Sequence, residues 1–159
     1  MYAQLGHYPE ILAYLIRRRI RVVHLVRRNH LDVLLSYAVK AKIGQAHLLS
    51  GQSAPDDLRV ELGTENLIRR LEWLQKKQSL ARKLLSGCRL PHLEVAYEDL
   101  LRDQAHFRLI LEFLSIQPEA QMPQSTLVKI RRGGQRDAIR NYDEVKKVLA
   151  NSKFAELLE

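Results

Sequence analysis

The chain has 159 residues and a formal net charge of +8. That is enough for one domain with a real core, and it favours anionic ligands such as nucleotides, nucleic acid or sulfated and phosphorylated substrates. A single cysteine, Cys88, excludes an internal disulfide and a cysteine-rich zinc site; with no apolar run near ~18 residues, no signal-peptide pattern and no metal-like histidine spacing, the expectation is a cytoplasmic protein without metal.

Tyr8–Arg19 reads as a short helix with Pro9 in its first turn and Ile11, Leu12, Leu15 and Ile16 as its apolar stripe. Six arginines crowd positions 17–28: Arg17, Arg18, Arg19, Arg21, Arg27 and Arg28. Cations at 17–19 complement a helix C-terminus, which gives them a plain structural role as well. Val22–Val26 is a short, β-branched apolar run and suits a strand buried on both faces of a parallel sheet.

After Arg27, Arg28 and Asn29 the apolar period changes to helical, with Leu31, Leu34, Leu35, Ala38 and Val39. Asn29 is a good N-cap, Asp32 completes a capping-box pattern, and the helix should run to about Gly44 or on to His47. Strand, turn and helix with two arginines at the turn describe an anion site: ligands of open α/β sheets bind beyond the carboxyl ends of strands, and helix N-termini and guanidinium groups suit a phosphate.

The stretch Gly51–Gly63 is polar and reads as a surface loop. Thr64 or Glu65 opens the longest helix, with Leu67, Leu71, Leu74, Ala81 and Leu85 on one stripe, Trp73 as a packing residue and Gly87 at its C′ position. Past Pro91, Leu93–Tyr97 is a second strand candidate. Glu98 to Leu101 opens a further helical region, and Asp103 caps its main part, whose apolar face is Phe107, Ile110, Leu111 and Leu114. Pro118 and Pro123 bracket a linker. The basic stretch Lys129–Gly134 follows, then an amphipathic segment with Val145, Val148, Leu149 and Phe154.

Three of these stretches carry a resemblance. Arg28-Asn29-His30-Leu31-Asp32 followed by Ser36 resembles the second nucleotide signature of the sulfotransferases. There an Arg and a Ser eight residues later hold the 3′-phosphate of the donor 3′-phosphoadenosine 5′-phosphosulfate. His30 stands where the family usually has Pro, which is merely favoured at that position. A mid-helix serine also commonly bonds the carbonyl one turn back. Tyr97-Glu98-Asp99-Leu100-Leu101 looks like a second family element, whose Tyr lies near the adenine. It also fits a plain strand end followed by an acidic first helical turn. Lys129–Gly134, with Arg131, Arg132 and Gly133, is similar to the basic glycine loop that closes over the 3′-phosphate, although Arg136 stands where a Gly is common. Ile139 to Val145 resembles bacterial, often carbohydrate-directed members.

The resemblance covers roughly residues 8–158. It implies an α/β fold: a helix-rich fragment of the P-loop-containing nucleotide hydrolase-like sulfotransferase fold, with short parallel strands, in a single domain 1–159. It implies Arg28, Ser36, Tyr97, Arg131, Arg132 and Gly133 as donor-binding residues. The partners it implies are the nucleotide sulfate donor and a hydroxyl acceptor, carbohydrate being one candidate. The family's N-terminal loop, which grips the 5′-phosphosulfate, has no counterpart among the seven glycines. No catalytic base is assignable, and His7 is only near the right region. The expectation is therefore a C-terminal portion that anchors the donor without turning it over, and whose open sheet edge invites pairing with a second copy or with a missing N-terminal segment. The rival reading is a basic, mostly helical nucleic-acid-binding module, supported by charge but by no base-reading motif or aromatic platform.

Overall fold

Val22–Val26 forms strand β1, and after two helices and a short strand His92–Ala96 forms strand β3 beside it. They pair in parallel, Val22 opposite His92 through Val26 opposite Ala96. The protein is described by a computed structural model over residues 9–44, 48–49, 55, 57–103, 105–117, 127–128 and 133–159. Its described elements are helix-rich α/β, with this two-stranded parallel sheet and a separate two-stranded antiparallel one. Among the described residues no helix is long and apolar enough to cross a membrane.

The remaining elements, in chain order, are α1 (Pro9–Arg17), α2 (His30–Ile43), β2 (Leu48–Leu49), α3 (Leu67–Gly87), α4 (Tyr97–Arg102), α5 (Ala105–Leu114), β4 (Leu127–Val128), α6 (Gln135–Ala138) and α7 (Tyr142–Ala150). A 3₁₀ turn covers Ala155–Leu157. They fall into two compact units, Met1–Arg28 with Leu74–Met122, and Asn29–Trp73 with Pro123–Glu159. The chain crosses between units at Arg28/Asn29, at Trp73/Leu74 within α3, and at Met122/Pro123.

In the first unit each strand is fed by a helix that ends in the same way. Arg19 and Arg89 both take the left-handed backbone conformation, at φ 49° and 50°. The next residue then closes a wide turn onto the helix: Ile20 N–H donates to Leu15 C=O, and Leu90 N–H to Leu85 C=O. This is the helix stop usually given to glycine. Gly87, expected at that position, instead remains helical. The apolar stripe of α1 is real, but Ile11 and Ile16 are 42% and 41% exposed, and Trp73, expected to pack, is also exposed. In β1 Leu25 faces outward, so this strand is covered on one face rather than two.

The second unit holds the larger core. Leu31, Leu34, Leu35 and Val39 of α2 are buried with Leu67 and Leu71 of α3 and Val145 and Leu149 of α7. Gly44 takes φ +76°, and its N–H caps Lys40 C=O, ending α2 where expected. The segment read as a polar loop departs from expectation in its second half. Val60 and Leu62 are buried, and Val60 bridges Ile139 in parallel. Asn141 clamps Leu62 at both its N–H and its C=O, at 3.0 and 2.9 Å. Alternating Val60 and Leu62, hidden among Asp and Gly, supply a two-residue-period signal too short to stand out. The pair β2–β4, antiparallel with Leu48 opposite Val128, was likewise not legible.

Candidate functional site

The carboxyl ends of β1 and β3 lie side by side, so the turn residues Arg27 and Arg28 meet Tyr97, Glu98 and Asp99. The Arg28 guanidinium makes two parallel bonds to the Asp99 carboxylate, both 2.6 Å. Its backbone N–H donates to the two carboxylate oxygens of Glu98 at 3.0 and 3.2 Å. The Arg27 guanidinium lies 5.1 Å from the centre of the Tyr97 ring, a cation–π distance. The hydrogen bond from Arg28 holds the Asp99 carboxyl below its ordinary value, and the same bond raises Arg28. The Arg28 side chain is 62% exposed. So the two sequence elements singled out separately do come together, Arg28 and Tyr97 at neighbouring strand ends. The anion-binding donors there are engaged by the protein's own carboxylates.

Behind this edge is a charge cluster that sequence reading missed. His24, buried at 6% exposure, and Glu94 are register partners on β1 and β3. His24 Nδ1 lies 3.1 Å from Glu94 Oε2. Glu94 also accepts two bonds from the Arg82 guanidinium of α3, at 2.6 and 2.7 Å. The bonds from Arg82 hold Glu94 below the usual carboxylate range, while burial pushes His24 below the usual imidazole value. The only signal was a His and a Glu at matching places in two strand candidates, and it becomes meaningful only once the register is known.

Ser36 belongs to the second unit, in the second turn of α2. Its hydroxyl donates to the Asp32 carbonyl at 2.8 Å, the one-turn-back bond that a mid-helix serine commonly makes. Asn29 caps the helix as expected, its Oδ1 accepting the Asp32 N–H at 3.1 Å. The end of the basic loop approaches this same helix start. Gln135, fully buried, donates to Leu157 C=O at 2.9 Å and to Asp32 at 3.3 Å, and accepts the Glu159 N–H. Gly133 takes φ +81°, and a Cβ there would stand 2.5 Å from an Asp137 carboxylate oxygen, so the position requires glycine. Arg131, Arg132 and His7 lie outside the described residues. Among the described residues no group of three or more His, Cys, Asp or Glu side chains is placed to hold a metal ion.

A separate shallow cavity of about 410 Å³ in the second unit is lined by Ala38, Ala41, Val60, Lys42, Arg59, Arg140 and Glu61. Lys42 is tied there by a 2.6 Å bond to the Arg59 carbonyl. Comparison of the chain with protein-family models, curated proteins and solved structures finds no match.

Proposed function

We propose that this chain anchors the 3′-phosphate of a nucleotide sulfate donor, 3′-phosphoadenosine 5′-phosphosulfate, as the C-terminal part of a sulfotransferase-like fold acting on a hydroxyl acceptor such as a carbohydrate. The observation that carries this reading is the meeting of Arg28 and Tyr97 at the carboxyl ends of two parallel strands, where open α/β sheets bind ligands. Arg28 already presents its fork to a carboxylate, the geometry that also grips a phosphate. The Arg28 side of this pair is open to solvent, where ion pairs are weak enough to exchange partners. The Tyr97 ring at the neighbouring strand end, with Arg27 5.1 Å from its centre, would offer its flat face to a base.

The chain's residues supply positioning in this reading. Sulfuryl transfer needs charge neutralised at the leaving 5′-phosphate oxygen, and loss of one preorganised donor in such sites lowers rate about 10²–10³-fold. No residue of this site is assigned to that task. The test is binding rather than turnover. Adenosine 3′,5′-diphosphate should raise the melting temperature and 5′-AMP should not. Arg28→Ala should weaken diphosphate binding about tenfold to a hundredfold, and Arg28→Lys should also weaken it because an ammonium lacks the fork. Both variants binding like the parent would refute the reading. The second reading, a nucleic-acid-binding module, draws on the exposed run Arg17, Arg18, Arg19 and Arg21. It predicts instead a stabilisation by any DNA that falls steeply with salt.

A further inference from the structure

Resting on the phosphate reading of Arg28, we propose that Asp99 is a built-in competitor for that phosphate, so that the ligand must displace a carboxylate before Arg28 can hold it. The geometry is that of an occupied anion site. Two guanidinium N–H groups of Arg28 go to Asp99 at 2.6 Å each, and the Arg28 backbone N–H goes to Glu98. The two guanidinium donors are the ones a phosphate at this strand end would use, and Asp99 takes both of them.

The pair is also built to open. Arg28 is 62% exposed, so a dianionic phosphate reaches its outer face, while Asp99, at 17%, is the carboxylate that must find other partners. A displaced Asp99 is not stranded. Arg102 and His106 are close enough to favour its charged form, and His106 Nδ1 is a buried atom with no hydrogen-bond partner among the described residues. Released from Arg28, the carboxylate turns towards cationic and donor groups on α4 and α5. The Arg28 backbone N–H remains with Glu98, so the turn keeps its shape while the side chain changes partner.

A competitor lowers apparent affinity by the fraction of molecules in which the site is open. Removing the negative charge of Asp99 without changing its shape should therefore tighten phosphate binding. Asp99→Asn should bind adenosine 3′,5′-diphosphate about three- to tenfold more tightly than the parent by isothermal titration, as expected when an exposed ion pair no longer competes. Asp99→Ser, shorter and unable to bridge to Arg28, should shift affinity in the same direction, and circular dichroism of each variant checks that the fold is retained. If Arg28→Ala loses binding while both Asp99 variants bind no more tightly, Asp99 positions Arg28 instead of competing, and the inference is overturned while the phosphate reading stands. If Arg28→Ala binds like the parent, the phosphate reading fails and the inference falls with it.

Discussion

In the second unit leucines and valines of α2, α3, α7 and the Val60–Leu62 segment are buried together with Ala138, Ile139, Phe154 and Leu157, and Gln135 is buried with them. Every one of the largest fully buried side chains belongs to this unit. In the first unit α1, α4 and α5 contribute no buried residue. Ile11, Ile16, Leu25, Leu101, Leu109 and Ile116 stand exposed there. Its buried apolar side chains are the smaller set Val26, Ala81, Leu85, Leu90, Val95 and Ala96, and charge adds to them: Arg82 to Glu94, Glu94 to His24, Arg28 to Asp99. Burial contributes in proportion to apolar area removed from water, whereas exposed ion pairs contribute little and lose strength with salt. The difference teaches that the candidate anion site sits on the unit with the thinner core, where partner exchange meets least resistance.

The largest expected effect tests that contrast with one substitution made twice. Leu71→Ala in the second unit should destabilise by about 2–5 kcal/mol, as for a fully buried leucine. Leu109→Ala on α5, at 52% exposure, should stay within about 0.5 kcal/mol. Denaturant unfolding of both variants measures this. An effect at Leu109 as large as that at Leu71 would break the comparison, since it would mean that the exposed face of α5 is covered in solution.

A middle-sized effect is expected at Glu94, where the first unit depends on charge. Glu94→Gln keeps the shape but loses the charged partner of Arg82 and of buried His24. A loss of about 1–3 kcal/mol is expected, the range for breaking hydrogen bonds to a charged group at a partly buried site. Amide exchange should accelerate in β1 and β3 and remain unchanged in α7. Uniform acceleration through both units would show that they do not differ in the way their cores suggest.

The parts of this contrast that sequence could reveal were the periodic ones. The parallel strands, the Asn29 cap, the Gly44 stop of α2, the Asp103 cap on Ala105 N–H and the buried stripe of α3 follow from local chemistry and helical spacing. What escaped depends on register and on distant partners. Glu98 and Asp99 look like ordinary acids on a first helical turn until β1 and β3 are paired, and only then do they face Arg28 across 70 and 71 residues. Gln135 is an unremarkable residue in a basic stretch until its amide is seen to join Asp32, Leu157 and Glu159. Trp73 misled for the opposite reason: its size suggests a core, yet its place on α3 faces away from the Leu67–Leu71 stripe.

The smallest effect is a pH dependence, and its sign follows from His24. Burial lowers its pKa in the folded chain, against the favourable Glu94 nearby. Between the usual imidazole value of about 6.5 and the lowered folded value, the unfolded chain binds a proton that the folded chain does not. Stability is therefore full above about pH 6.5 and is lost as pH falls through that window. Glu94 and Asp99 act in the same direction, but lower on the scale. Arg82 and Arg28 hold them below ordinary carboxylate values, so their contribution is present above the unfolded carboxylate pKa and disappears only as pH falls further. The two windows separate the groups. His24→Gln, which still offers Glu94 a donor, should flatten the stability profile just below pH 6.5 and leave the loss at more acid pH in place, as read by melting temperature across pH 4–7. A profile that keeps its slope near pH 6 in the variant would show that another group, and not the buried histidine of the first unit, takes up that proton.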